Sequence, residues 1–157
     1  MSPFLGRTFI MTDHSAAPQR KTPVWFWIVA VLAVVWNFGG VFDYVMTQTN
    51  DAYLDQLPPE QVAYFTGFPA WYVAIWASAV HAAFLASLAL VLRLKITFPL
   101  FALSLVLFVV NTIYIYGFTP ALELMGVGGS VFSAFIFLSL IALTWLSRWA
   151  LKAEILR

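Results

Sequence analysis

Three polar residues lie in the middle of long apolar stretches of this sequence: Asn37, His81 and Asn111. If each stretch is a helix that crosses a membrane, the helical rise places them roughly 20, 17 and 23 Å from the inner helix ends. They would then share one layer. In lipid, amide and imidazole groups need partners inside a bundle, and such groups bind solutes or carry protons. The sequence predicts a layer that either binds a ligand or joins the helices by hydrogen bonds.

Two tyrosines extend this layer towards the outer side. Tyr44 follows Asn37 by seven residues and Tyr114 follows Asn111 by three, so each is expected on the same helix face as its asparagine. The third helix is predicted to present one polar face, formed by residues seven apart: Thr97, Ser104 and Asn111.

A carboxylate, Asp43, comes one turn before the outer end of the first helix. Six residues separate it from Asn37, which turns it about 120° away from the asparagine face. It is either a solvated carboxylate at the membrane interface or a proton or cation site at the outer mouth. In the second case Glu123 is its expected neighbour.

Several kinds of chemistry are excluded or disfavoured. One histidine within the membrane is too few for a protein metal site, which needs three or four ligands. There are no cysteines, so thiolate sites, Cys nucleophiles and covalent haem attachment are excluded. No phosphate-binding loop, nucleophile elbow or zincin helix occurs. We expect no enzyme, no cofactor and no metal, and the net charge of +1 gives no reason to expect nucleic acid.

The elements that would position these residues are four membrane spans. The chain is 62% hydrophobic and 10% charged, against about 25% charged residues in soluble domains. Apolar stretches predict spans at about 24–46, 70–92, 96–118 and 127–147, each long enough to cross a hydrocarbon core. The expected fold is an all-α integral membrane up-down four-helix bundle at 23–148, with cytoplasmic tails at 1–22 and 149–157. A natural start at Met11 is also expected.

The connection at 47–69 is predicted to contain short interfacial helices. Asn50 is a suitable cap for a first turn, Pro59 is suited to the first position of a second helix, and Gly67 is suited to end it.

The distribution of charge predicts the orientation. All eight basic residues lie in the N-terminal segment, in the connection between the second and third spans, or in the C-terminal tail. The other two connections carry only acids, namely Asp51, Asp55, Glu60 and Glu123. The positive-inside rule therefore predicts that both termini are cytoplasmic.

Small residues recur every four positions along the second span: Ala70, Ala74, Ser78, Ala82 and Ala86. Such a ridge lets another backbone approach closely. The expected partner is the first span, through Ala30, Ala33, Gly39 and Gly40.

Several segments resemble a family of small four-span bacterial inner-membrane proteins, some of which carry the automatic name sugar transporter. The segments are WNFGGVFDY at 36–44, LPPEQVAYF at 57–65, FPAW at 68–71 and LALVLRLK at 88–95. The resemblance covers about residues 22–147. It implies a bacterial inner membrane and the four-span layout, and it brings no catalytic or binding residues.

Two functions follow as expectations. The first is small-solute or proton-linked transport through the polar layer, although the sequence shows neither an internal repeat nor an interrupted span of the kind common in transporters. The second is a non-catalytic accessory or assembly subunit of a larger membrane complex. The expected partners are the lipid bilayer and either further copies of the chain or another membrane protein.

Overall fold

The computed structural model describes residues 22–157 and shows six helices in that range. They are α1 (Val24–Thr49), α2 (Asp51–Leu54), α3 (Pro59–Thr66), α4 (Ala70–Val91), α5 (Thr97–Phe118) and α6 (Ala121–Lys152). Four of them, α1, α4, α5 and α6, are long and apolar enough to cross a membrane, and they contain the four predicted spans to within one residue. The predicted N-terminal tail and the Met11 start concern positions that lie outside the described residues, apart from Thr22.

The predicted helix-terminating residues act as expected between α1 and α4. The Asn50 side chain accepts a hydrogen bond from the Tyr53 backbone N–H at 3.2 Å and caps α2. Pro59 occupies the first turn of α3, where a missing N–H costs nothing. Gly67 ends α3, and its N–H bonds to the Ala63 carbonyl. The two short helices of this connection are confirmed.

The four long helices are neighbours in the order α1, α4, α5, α6, and side-chain contacts of Trp25 and Trp36 with α6 close this row into a ring. One side-chain hydrogen bond joins each neighbouring pair and closes the ring between α6 and α1. These bonds are Asn37 Nδ2 to Ser87 Oγ (2.8 Å), Ser104 Oγ to the Ala79 carbonyl (2.8 Å), Tyr116 Oη to Ser133 Oγ (3.1 Å) and Trp36 Nε1 to Ser139 Oγ (3.2 Å).

The bundle has two unlike ends. We call the end that carries α2, α3 and the α5–α6 connection the α3 end, and the opposite end the C-terminal end. The core lies in the C-terminal half, where side chains from all four long helices pack together. Its completely buried large apolar members are Phe26, Leu90 and Phe101.

The last residues of the chain close this core. Arg157 pairs with the α4–α5 connection, since its N–H bonds to the Arg93 carbonyl at 2.6 Å and its carbonyl accepts from the Lys95 N–H at 3.1 Å. Ile155 and Leu156 are 5% and 2% exposed and belong to the core. The segment expected to be a charged tail is therefore packed onto the bundle.

The fourth long helix is interrupted at Gly126, one residue before the predicted start of the fourth span. Gly126 has φ 61° and ψ −166°, a conformation that is essentially restricted to glycine. Beyond the break, Gly129 faces Met125, and a Cβ atom on Gly129 would lie 2.6 Å from the Met125 Cβ. The break lies outside the predicted span 127–147, which is continuous helix, so no predicted span is interrupted.

The small-residue ridge of α4 is divided between two environments. Ala82 and Ala86 are buried, as are Ala30 and Ala33 of α1. The α4 side chains that contact α1 are Trp76, Phe84 and Ser87. The other members, Ala70, Ala74 and Ser78, are exposed, as is Gly39 of α1. The prediction of one continuous ridge against α1 is wrong for the α3 half.

Candidate functional site

The predicted layer of Asn37, His81 and Asn111 does not form as one hydrogen-bonded unit. Asn37 is 8% exposed, and its amide donates to Ser87 Oγ at 2.8 Å and to the Ala33 carbonyl at 2.9 Å. Its partner on α4 is therefore Ser87, which lies six residues from His81. Asn37 acts as a bond between two helices.

His81 lies on the exposed face of α4. Its Nδ1 is 2.7 Å from the Ala77 carbonyl, and its ring meets Tyr44 edge-on at 5.8 Å. The prediction that Asn37 and His81 lie at a similar depth in the membrane was wrong, because it assumed that the inner ends of α1 and α4 are level. Asn37 stands 13 residues from the start of α1, but its partner Ser87 stands only four from the end of α4, an offset of about 13 Å.

Asn111 is the member of the layer that has an incomplete set of partners. It is 6% exposed, and among the described residues its Oδ1 is buried without a hydrogen bond. Thr97 and Ser104, on the same face, are 0% and 1% exposed, as the seven-residue spacing predicts. A buried amide carbonyl without a donor costs about 1–3 kcal/mol, so this group is available for a ligand or a water molecule.

Four tyrosines gather at the α3 end, and we call them the tyrosine cluster: Tyr64, Tyr72, Tyr114 and Tyr116. Tyr72 and Tyr114 lie ring to ring at 5.0 Å, and Phe68 links Tyr72 to Tyr64 with centroid distances of 4.4 and 4.8 Å. Tyr114 follows Asn111 by one turn, about 4.5 Å along α5. The cluster thus surrounds the end of the bundle nearest to the free Asn111 carbonyl.

Helix α3 lies across this end and is attached to both α5 and α6. The Tyr64 hydroxyl and Thr119 Oγ1 are 2.8 Å apart, and Gln61 Nε2 donates to the Leu124 carbonyl at 2.8 Å. The break at Gly126 removes Leu124 from regular helical pairing, which leaves its carbonyl free to accept from Gln61. Burial raises the pKa of the Tyr64 phenol above its usual value. Two side-chain bonds therefore hold α3, which contributes Tyr64 to the cluster, at this end of the bundle, and we call α3 the lid.

A cavity of about 280 Å³ lies between α5 and the α3 half of α6. Most of its lining is apolar, with Phe108 and Phe137 at one end. Tyr116 and Ser133 contribute the hydrogen-bonded hydroxyls that join the two helices across it. One tyrosine of the cluster therefore also lines an apolar space.

The other predicted site residues lie on α1. The exposed Asp43 accepts a hydrogen bond from the Tyr53 hydroxyl at 2.8 Å, and this bond raises the pKa of the Tyr53 phenol. Tyr44 packs on Trp76 at 5.0 Å and on His81. Of the six predicted residues, the structure brings together Tyr44 and His81 on one surface, and Asn111 and Tyr114 on one face of α5.

Three members of the tyrosine cluster were missed by sequence reasoning: Tyr64, Tyr72 and Tyr116. All six tyrosines of the chain fall within about one turn of a predicted outer helix end or in the adjoining connection, so this pattern indicates phenols at the outer side without singling out the four of the cluster.

This end of the bundle offers the phenols of the tyrosine cluster and, outside that cluster, the amide carbonyl of Asn111 without a donor. Among residues 22–157 no three His, Asp or Glu side chains lie close enough to hold a metal ion. Fold and site define an all-helical protein with four potential membrane spans and a polar cluster at one bundle end. No family model, curated protein or solved structure matches the chain.

Proposed function

We propose that the protein is a multi-pass protein of a bacterial inner membrane, with both termini and the C-terminal end of the bundle in the cytoplasm. The basic residues within the described part support this orientation, because Arg93 and Lys95 adjoin the segment that ends at Arg157. The acids of α2, α3 and the first turn of α6 lie at the other end. The positive-inside rule assigns the basic end to the cytoplasm.

Single cysteines test this orientation, because the chain has none of its own. In intact spheroplasts, a membrane-impermeant thiol reagent should label Asp55→Cys and Glu123→Cys. It should label Leu94→Cys and Ala153→Cys only after the membrane is opened. Labelling at position 94 in intact spheroplasts would show that the protein has the opposite orientation.

We further propose that the protein is a non-catalytic carrier of a small uncharged solute, which enters from the α3 end. The observation that carries this proposal is the buried Asn111 carbonyl without a donor beneath the tyrosine cluster. Since polar groups inside membrane bundles are costly unless they find partners, such a group is typical of a binding position. A solute with hydroxyl or N–H donors supplies the missing hydrogen bond.

One further feature supports a carrier that opens to the α3 side. The C-terminal half is closed by Phe26, Leu90 and Phe101, whereas the α3 half buries few large apolar side chains and is held by the bonds of the lid. Proton coupling through His81 has no such support, because His81 faces away from the bundle interior.

Osmotic re-swelling of proteoliposomes tests the carrier proposal with glycerol and urea as probes. We expect faster re-swelling with the native protein than with empty liposomes, and a loss of this difference in Asn111→Leu. Asn37→Leu is the matched control: it removes an asparagine of the same burial away from the cluster and should retain the rate once folded. Equal rates for native protein and Asn111→Leu would exclude Asn111 as the solute site.

One observation favours the accessory or assembly subunit as a second candidate. Between Leu122 and Ser139, no residue of α6 is buried, although the same helix is well packed beyond Leu140. A partner membrane protein could cover this length. Native purification in mild detergent distinguishes the two functions, because a subunit should co-purify in fixed ratio with a larger complex and a carrier should not.

A further inference from the structure

The face of α4 that points away from the bundle has a regular pattern. Its exposed residues are spaced alternately by three and four positions, which is the spacing of the contact positions of a left-handed coiled coil. We call this face the α4 stripe: Trp71, Ala74, Ser78, His81, Leu85, Leu88 and Leu92. The residues towards the α3 end are mostly small, and those towards the C-terminal end are leucines.

His81 lies at the centre of the α4 stripe, 11 residues from Ala70 and 10 from Val91. A carbonyl oxygen only accepts hydrogen bonds, so the 2.7 Å contact with Ala77 requires the proton on Nδ1. In the neutral ring Nε2 is then an acceptor, and it belongs to an exposed side chain. Ionisable residues at mid-membrane almost always face protein or water, because lipid offers no hydrogen bonds. Nε2 of His81 therefore favours a partner other than lipid, and a protein neighbour on the α4 stripe brings one.

We propose that this neighbour is a second copy of the chain, docked stripe to stripe. Two copies inserted with the same orientation can pair only about a two-fold axis along the membrane normal, so their α4 helices run parallel and in register. Each residue of the α4 stripe then faces the same residue of the other copy, as in a parallel coiled coil. Ala74 and Ser78 are small and let the two backbones approach closely.

The chemistry of His81 suits this symmetric arrangement. Across the axis, two imidazoles face each other with Nε2 acceptors at the same depth. One water molecule has two O–H donors and satisfies both nitrogens when it lies on the axis. The polar group that would be costly against lipid thus has a partner in the dimer.

The other exposed faces fit lipid instead. Among the described mid-span residues, those exposed on α5 and on the α3 half of α6 include Leu103, Val106, Val131 and Phe135. Such side chains are as well solvated by lipid tails as by protein. His81 is the ionisable residue that lies exposed in the middle of a described span, and this singles out the α4 stripe. The inference depends on membrane insertion and is independent of the solute proposal.

Disulfide crosslinking in native membranes tests the docking. Ala74→Cys and Ser78→Cys should form dimers through disulfides on mild oxidation, because positions at the axis come within the 4.4–6.8 Å Cα separation that a disulfide requires. Val106→Cys and Val131→Cys, exposed on α5 and α6, are the controls and should stay monomeric. No crosslink at 74 and 78, or equal crosslinking at the controls, would overturn the proposal. So would an adduct of the stripe cysteines with a different protein.

A second measurement separates docking from folding. Ser78→Phe places a large side chain on the stripe without entering the core, so mass photometry in nanodiscs should show loss of the dimer while the monomer melts as before. His81→Leu should weaken dimerisation about threefold, the size of an average interhelical polar contact. A Ser78→Phe protein that remains dimeric contradicts stripe-to-stripe packing.

Discussion

The two halves of the bundle are built from similarly apolar helices, yet they pack differently. In the C-terminal half, Phe26, Leu90 and Phe101 are completely buried, and the chain end seals the core. In the α3 half, few large apolar residues are buried, and hydrogen bonds of the lid hold the helices together. The difference indicates that stability resides mainly in one half. The other half retains one buried polar atom without a partner among the described residues, Asn111 Oδ1, and this atom is the candidate for binding.

We expect the largest difference in stability between the two halves for a pair of phenylalanine substitutions. Phe101→Ala opens a cavity in the sealed half and should cost about 3 kcal/mol of unfolding free energy. This is the lower end of the usual range, because lipid already solvates apolar surface and mainly packing is lost. Phe132→Ala, on the exposed α3 half of α6, should change it little. Equilibrium unfolding in mixed detergent measures both, and similar losses would mean that the halves are equally packed.

The next effect concerns the break in α6. Gly126→Ala forces an L residue into φ 61° and should destabilise the protein by about 1–3 kcal/mol. Gly128→Ala is the control, because its Cβ would meet nothing within 4 Å and its φ is not positive; alanine should be neutral or slightly stabilising there. Thermal melting in detergent ranks the stabilities of the two variants and the native protein. A Gly126→Ala protein as stable as Gly128→Ala would show that the break is not required.

The two asparagines should respond in opposite directions. Asn37→Leu removes two hydrogen bonds and should lower stability by about 0.6 kcal/mol or somewhat more. Asn111→Leu removes a buried acceptor without a partner and should raise stability by about 1 kcal/mol. Equilibrium unfolding of the two variants beside the native protein measures the sign of each change in unfolding free energy. A loss of stability in Asn111→Leu would assign that residue a structural bond.

The smallest effect is a pH dependence at the α3 end. The hydrogen bond to Asp43 raises the pKa of Tyr53 above 10.0, its unfolded value. The contribution is therefore fully present below about pH 10 and is lost as pH rises through the folded pKa. Ultraviolet titration should show one late-ionising phenol fewer in Tyr53→Phe than in the native protein. In Asp43→Ala that phenol should ionise earlier, and an unchanged titration would rule out this contact in solution.

Local chemistry made the spans and the short helices predictable. Apolar length identified the four long helices, and the capping properties of Asn50, Pro59 and Gly67 located α2 and α3. Which side of each long helix faces the bundle interior was not predictable to the same degree. Because lipid and bundle interior are both apolar, Ser78 and Ala82 look alike in sequence, although one is exposed and the other buried.

The candidate site was predictable only in part. The seven-residue spacing identified the buried face with Asn111, because that argument stays within one helix. The prediction of a shared polar layer was wrong because the axial offset between α1 and α4 depends on how whole helices pack. The tyrosine cluster was missed because it brings together α3, α4 and α5, and the position of α3 depends on the broken helix end that Gln61 binds.

The ring of side-chain bonds has a mechanical consequence for α6. An axial slide of one residue, about 1.5 Å, would break a hydrogen bond such as that between Trp36 and Ser139, so the helix is prevented from sliding. Tilting remains available, with the pivot near Ser139. The arm from there to the break at Gly126 is about 20 Å long, so a swing of about 5° would move its tip by about 2 Å and would strain the bond between Tyr116 and Ser133. Because Gln61 holds Leu124 near that tip, the lid must travel with the arm or release it.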